Sequence, residues 1–185
     1  MKLNHKIKID LKDFISIGRF DHLKLGMSKD KVLQVFPQPD YWSEDKKSFK
    51  DEIWVYGNFE LHFYRERLFM IFNDYLDCME GGELLEIDHW IFKRKQKFKL
   101  PEFINVLISE KIDFTKKTNN LDQVILRITE TAVQVQFDKS NEQEDMIDAI
   151  EDKKKSKVAE RELDPIEFVM SCICIFDNNY IQIKL

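Results

Sequence analysis

The chain has 185 residues and a net charge of −5 at pH 7, and 43% of its residues are hydrophobic and 34% charged. This size and composition fit one globular domain, or two small units that share a sheet, and they exclude a disordered chain. The net negative charge argues against nucleic acid as the main partner, because an acidic surface repels phosphate backbones.

Membrane and disulfide signals are not found in the sequence. The first residues, MKLNHKIKIDLKDF, alternate charged and apolar side chains without an apolar signal-peptide core. No later stretch reaches the ~20 apolar residues of a membrane span. The three cysteines, Cys78, Cys172 and Cys174, show no Cys-x-x-Cys spacing. We therefore expect no membrane partner, buried free thiols, and a cytoplasmic location under reducing conditions.

The first predicted elements are a strand and a capped helix. In KIKIDLK, residues 6–12, apolar side chains alternate with polar ones, which predicts a strand at a sheet edge; its apolar side carries Ile7, Ile9 and Leu11. Ser28 is suited to cap a helix that follows it, and Val32 lies where its side chain would reach the core. Pro37 and Pro39 end that helix.

The segment 53–72 then changes to the two-residue period of strands. A hairpin turn at Gly57-Asn58 would set the cross-strand pairs Tyr56–Phe59, Val55–Glu60 and Trp54–Leu61. This register makes one face apolar, and a second turn at Arg65-Glu66 adds to that face Leu68, Met70 and Phe72. The opposite face is mixed and carries Ile53, Val55, Glu60, His62, Tyr64, Phe69 and Ile71. A further strand is expected within residues 84–92.

The second half repeats the order of a helix followed by strands. Pro101 suits the first turn of a helix whose apolar residues form one predicted buried stripe of Phe103, Ile104, Leu107, Ile108 and Ile112. A hairpin with its turn at Glu130-Thr131 would then set the apolar pairs Ile128–Val133, Leu126–Val135 and Val124–Phe137. The strand 168–176 is apolar on both faces and is predicted to be central, paired in a last hairpin with 180–185.

A charged insertion separates these last strands. Residues 138–164 contain ten acidic and six basic side chains and few apolar ones, so the segment is predicted to be a solvated excursion and not part of the core. A dedicated partner-binding segment is the alternative interpretation.

These patterns predict an α+β fold. It consists of two consecutive helix-plus-antiparallel-sheet units, residues 1–98 with the N-terminal strand and residues 99–185 with the insertion. Together they form a helix-backed antiparallel sheet.

Two quoted stretches carry a family resemblance. LGMSKDKVLQVFPQPD, followed by IWVYGNFELHF, resembles the G-M-[ST]-x-x-x-V…P helix and hairpin of the SmpA/OmlA-type outer-membrane assembly lipoproteins. The doubled order resembles the β-lactamase-inhibitor-protein fold. The matching residues are Gly26, Met27, Ser28, Val32, Pro37 and Pro39. The resemblance implies a non-catalytic domain that presents a sheet face or loops to another protein. Because no lipidation cysteine or disulfide framework accompanies the motif, an intracellular bacterial immunity-type protein that neutralises a toxin is the favoured form.

The mixed sheet face is the candidate partner-binding site. If the sheet is continuous, this site combines seven residues: Glu60, His62, Tyr64, Phe69, Arg127, Gln134 and Gln136. One alternative function is a small hydrolase or ligand-binding protein that uses Glu60, His62 and Tyr64 as acid, base and polariser. Another is an adaptor that binds through the charged insertion. The partner's identity and the oligomeric state are left open.

No catalytic residue, metal ligand or cofactor is predicted. The four histidines lack the local spacing of a metal site, and Gly81-Gly82 is the sole glycine cluster, without the Lys and Ser or Thr of a phosphate loop. Outward-facing strand residues with ordinary solvation are the simplest interpretation of Glu60 and His62.

Overall fold

The structure, a computed structural model, describes residues 6–44, 51–93, 97–140 and 168–177. This part of the chain contains three helices and ten strands. In chain order they are β1 (Ile7–Asp10), α1 (Leu11–Ile17), α2 (Lys29–Val35), β2 (Tyr41–Glu44), β3 (Asp51–Tyr56), β4 (Phe59–Tyr64), β5 (Arg67–Asn73), β6 (Leu85–Asp88), α3 (Leu100–Ser109), β7 (Phe114–Thr118), β8 (Val124–Ile128), β9 (Val133–Lys139) and β10 (Phe168–Phe176).

Eight of the described strands form one antiparallel sheet in the order β2-β3-β4-β5-β10-β9-β8-β7. The protein is therefore α+β, as the sequence predicts. Strands β2 to β5 form one meander and β7 to β10 another, and the two meanders meet where β5 pairs with β10. Each meander follows a helix, α2 or α3, in the chain.

The helices pack on one side of this sheet, which we call the inner face. The ring of Phe36, just after α2, makes an edge contact with Tyr56 at 5.2 Å, and Phe103 of α3 lies 5.9 Å from Phe137 of β9. All four side chains are buried, and the Tyr56 hydroxyl donates a hydrogen bond to the Pro37 carbonyl at 2.7 Å. Aromatic burial on this face therefore supplies much of the core.

The predicted hairpin registers are confirmed. Strands β3 and β4 pair Trp54 with Leu61 and Tyr56 with Phe59, and β8 and β9 pair Leu126 with Val135. Trp54 and Leu126 are both buried on the inner face. The period of two and the turn residues were sufficient to set these registers, because a slip by one residue would expose every apolar side chain.

A β-bulge between β4 and β5 corrects the predicted face of β5. Phe63 pairs with Leu68 but His62 pairs with Met70, so one extra residue of β5 lies at the bulge. As a result Leu68 and Ile71 are buried, whereas Met70 and Phe72 lie on the other face. The predicted inward positions of Met70 and Phe72, and the outward position of Ile71, were wrong.

The N-terminal strand is shorter than predicted and is followed by a helix that the sequence reading missed. Asp10 caps α1, since its carboxylate accepts hydrogen bonds from the Lys12 and Asp13 amides, and Gly18 ends it in a left-handed conformation. Leu11 is therefore helical. Strand β1 pairs in parallel with β6 in a separate two-stranded sheet.

The predicted strand at 84–92 also shortens, to Leu85–Asp88. Trp90 has a positive φ of 47°, and the Phe92 amide donates to the His89 carbonyl at 2.7 Å. This turn ends the strand before the predicted limit.

Helix α2 begins and ends as predicted. The Ser28 hydroxyl accepts from the Lys31 amide at 3.4 Å, and the buried Val32 packs in the core. Lys29, at its first position, forms ion pairs with Glu52 and, at 2.9 Å, with Glu66. Helix α2 is thereby attached to β3 and to the β4–β5 turn.

Helix α3 is confirmed, but two residues of its predicted stripe are wrong: Ile108 is exposed, and Ile112 lies beyond the end of the helix. Phe103 and Leu107 are fully buried, whereas Ile108 is 63% exposed. The buried face starts one residue earlier, at Leu100, and Ile108 is turned about 100° away from Leu107 around the helix axis. The Glu102 carboxylate accepts from the Lys99 amide at 3.1 Å at the helix start.

The predicted central position of β10 is confirmed, since β5 and β9 pair with its two sides. The predicted partner strand at 180–185 and nearly all of the insertion lie outside the described residues. Residues Ile173 to Ile175 are already paired on both sides by the described strands. Strands β2 and β7, the two outermost strands of the described sheet, were not predicted.

A polar network joins the first hairpin turn to the loop after β5. Asn73 is 1% exposed and donates from its amide to the Asn58 backbone carbonyl at 2.8 Å and to its side-chain oxygen at 3.0 Å. The same Asn58 oxygen accepts from the Glu80 amide at 2.8 Å. These hydrogen bonds hold the loop close against the turn, because a buried amide such as that of Asn73 requires hydrogen-bond partners.

Candidate functional site

The outer face is the side of the eight-stranded sheet opposite the helices. Cross-strand partners place one residue from every strand in a single row, listed from the β2 edge to the β7 edge: Tyr41, Val55, Glu60, Phe72, Cys174, Gln134, Arg127 and Thr115. A shorter second row contains Ser43, Ile53, His62, Met70 and Phe176. A third row, near the other ends of the strands, contains Cys172, Gln136, Ile125 and Lys117.

All seven sequence-predicted site residues are half-buried and lie on or beside the outer face. They fall into two groups: Glu60, His62, Tyr64 and Phe69 on β4 and β5, and Arg127, Gln134 and Gln136 on β8 and β9. Glu60 and Arg127 share a row but are four strands apart, which at ~4.8 Å per strand is about 19 Å. The continuous sheet thus places both groups on one face without bringing them into contact.

The first group is built around a hydrogen-bonded pair. His62 Nε2 lies 2.7 Å from a Glu60 carboxylate oxygen, and the rings of Phe69 and Phe72 each meet the His62 ring edge-on at 6.1 Å. The His62 side chain is 17% exposed and that of Glu60 34%. Aromatic neighbours therefore fix the imidazole while the carboxylate stays accessible.

The second group is polar and basic. The Asp138 carboxylate accepts from the side-chain amides of Gln136 at 3.2 Å and Gln123 at 2.8 Å. Arg127 forms no ion pair with any residue that the structure describes. Its guanidinium is therefore available for a carboxylate of a partner.

Apolar and sulfur-containing side chains occupy the middle of the outer face. Between the two groups lie the half-buried residues Met70, Phe72, Cys172, Cys174 and Phe176, on β5 and β10. Sequence reasoning missed Met70 and Phe72 because the bulge in β5 has no local sequence signal. The pairing of β5 with β10 joins segments about 100 residues apart in the chain, and it alone brings Cys174 beside Phe72.

The three cysteines form no disulfide bonds, as expected, but they are less buried than the sequence predicts. All three are free thiols, but Cys78 is exposed and Cys172 and Cys174 are half-buried. The prediction of buried thiols was therefore wrong for Cys78, which lies in the loop after β5.

A surface cavity of about 360 Å³ lies elsewhere. It is lined by residues before and within α2 and by the first residue of β5: Lys24, Leu25, Gly26, Met27, Ser28, Lys31 and Arg67. Glu60, His62 and Tyr64 do not line it. Across residues 6–44, 51–93, 97–140 and 168–177, no group of three or more His, Cys, Asp or Glu side chains could hold a metal ion.

The fold and the site together define an α+β protein with a mixed polar and apolar sheet face. No described helix has the length and apolar character required to span a membrane. No family model, no curated protein and no solved structure matches the chain.

Proposed function

We propose that the chain is a non-catalytic protein-binding module that docks a partner protein on the outer face. The observation that supports this proposal is the composition of the face. Apolar side chains such as Met70 and Phe72 lie between the group that contains Glu60 and the group that contains Arg127. Protein interfaces have this arrangement, with an apolar centre and a polar rim.

The aromatic and arginine residues are the proposed anchors. Phe69 and Phe72 pack their rings against His62, and Arg127 supplies a bidentate donor in the same row as Phe72. Such residues contribute most of the binding energy in measured interfaces. The matching partner carries a basic residue opposite Glu60 and an acidic residue opposite Arg127.

The proposed biological form is an intracellular bacterial immunity-type protein that neutralises a toxin by surface contact. The order of elements supports the tandem, inhibitor-protein-like arrangement that the resemblance implies, because a helix and then a four-stranded meander occur twice. The division into units at residues 98 and 99 stays a prediction.

The experiment compares charge-reversal variants in the native host. Three tagged proteins are purified, and their partners are quantified by mass spectrometry. They are the wild type, the double variant Glu60→Lys with Arg127→Glu, and a control with Glu86→Lys and Lys31→Glu. Both control positions are exposed and lie outside the outer face. We expect a stoichiometric partner with wild type and control that is lost from the double variant at an unchanged melting temperature. Equal recovery from all three contradicts the proposal.

A second candidate function is supported by the 2.7 Å contact between Glu60 and His62, which would suit a small hydrolase. A substrate pocket would have to form over an open sheet face, so we place this function second. A panel of esters and phosphoesters tests this function. Hydrolysis by the wild type that is lost in both Glu60→Gln and His62→Gln would favour a hydrolase.

The adaptor alternative is tested separately by deleting residues 139–163. Only an adaptor that binds through the charged insertion would lose its partner in this deletion while retaining it in the double charge reversal.

A further inference from the structure

Cys172 and Cys174 form a pair of thiols at the centre of the outer face. They are two residues apart in β10, so both side chains point to the same side of the sheet. Strand β10 is paired on both sides, which fixes the backbone that carries them. The two thiols are therefore neighbours on one face of a paired strand.

The direct cross-strand partners of the pair are apolar or neutral. Cys174 lies between Phe72 of β5 and Gln134 of β9, and Cys172 lies beside Gln136. Two carboxylates, Asp138 on β9 and Asp74 after β5, both oppose ionisation of Cys172. Arg127 and Lys117 share the rows of the two thiols but are not their direct cross-strand partners.

One proton is easier to remove from the pair than two. The hydrogen bond from the Cys174 thiol lowers the pKa of Cys172, although burial opposes this. The same hydrogen bond, burial and the charge of the neighbouring thiolate raise the pKa of Cys174.

We propose that Cys172 and Cys174 form a two-coordinate site for a soft monovalent metal ion, Cu(I). Two Cu–S bonds form and two S–H bonds break, so one Cu(I) and two thiols give a dithiolate complex of charge −1 and two released protons. The metal keeps its oxidation state throughout. This site does not depend on the proposed docking function.

The choice of metal follows from the ligands. Thiolates are soft donors that select Cu(I) over hard cations. A structural zinc site requires four ligands, and in the described part of the chain no third His, Cys, Asp or Glu completes such a cluster. Two thiolates on the same face of β10 supply the two ligands that two-coordinate Cu(I) accepts.

The test titrates the full-length, reduced protein anaerobically with Cu(I) buffered by bicinchoninate. We expect one Cu(I) per chain, tighter binding as pH rises because two protons are released, and loss of that equivalent in Cys172→Ser and in Cys174→Ser. Cys78→Ser is the matched control, since this thiol is exposed and lies in the loop after β5. It should bind as the wild type does.

X-ray absorption of the wild-type complex makes the test independent of variant folding. Two sulfur ligands and no nitrogen or oxygen ligand support the site. The proposed site is overturned by three or more ligands or by a stoichiometry of one Cu(I) per two chains. Binding that is lost in Cys78→Ser but kept in Cys174→Ser also overturns it.

Discussion

The turn at Gly57 provides the sharpest test of how the first hairpin is held. Gly57 has a φ of +61°, and a Cβ atom built there would collide with the Glu80 carbonyl and the Gly82 amide nitrogen. In Gly57→Ala the left-handed backbone costs about 1–2 kcal/mol, and the overpacking adds about 1–3 kcal/mol. We therefore expect a loss of about 2–5 kcal/mol in the free energy of unfolding.

Gly26 is the matched control, because its φ is +85° but nothing lies within 4 Å of a Cβ built there. Gly26→Ala should cost only the backbone contribution of about 1–2 kcal/mol. Urea unfolding followed by tryptophan fluorescence measures both losses, and an unchanged m-value confirms that the unfolded states are comparable. If the two variants lose the same free energy within about 0.5 kcal/mol, the close approach of the 80–82 loop to the turn is refuted.

Three further predictions concern stability. Phe103→Ala should lower the free energy of unfolding by about 3–5 kcal/mol because the ring is fully buried. Ile108→Ala should change it by less than about 0.5 kcal/mol because this side chain is exposed. Equal losses in thermal unfolding would contradict the corrected buried face of α3. Lys111 has a φ of 58°, so Lys111→Gly should raise the unfolding free energy by about 0.5–1 kcal/mol, and a measured loss would oppose this reasoning. Burial lowers the pKa of Lys29, but its hydrogen bonds to Glu52 and Glu66 outweigh burial and raise the pKa. The stabilisation from these ion pairs is therefore complete below the unfolded pKa of 10.5 and is lost as pH rises through the folded pKa. Lys29→Met should therefore flatten the alkaline loss of stability in urea melts, and an unchanged alkaline slope would contradict this assignment.

The hairpins could be predicted because their information is local. Alternation fixes which side chains of β3, β4, β8 and β9 turn inward, and Gly57-Asn58 fixes the register of the first pair. The outer-face positions of Glu60, His62 and Gln134 follow directly from these registers.

Other elements were missed because tertiary contacts decide them. Helix α1 is an exception, because its signals are local: Asp10 caps it, and Leu11, Phe14 and Ile15 have the spacing of a buried helix face. The alternation of Ile7, Ile9 and Leu11 concealed them. Strands β2 and β7, with sequences YWSE and FTKKT, lack a buried alternating face because they are the outermost strands of the sheet.

The composition of the candidate site depended on the same long-range pairing. The bulge that turns Met70 and Phe72 outward, and the β5–β10 pairing that sets Cys174 beside Phe72, arise from contacts between distant segments. A local pattern predicts the two polar groups of the outer face but not the apolar and thiol centre between them.

Site-specific photocrosslinking in the native host tests the docking face most directly. A benzophenone amino acid replaces Val55 or Gln134 on the outer face, and Glu86 or Lys31 as exposed controls elsewhere. We predict a discrete crosslinked protein from both outer-face positions and none from the controls. Crosslinks to that protein from Glu86 or Lys31, with none from Val55 or Gln134, would contradict the account.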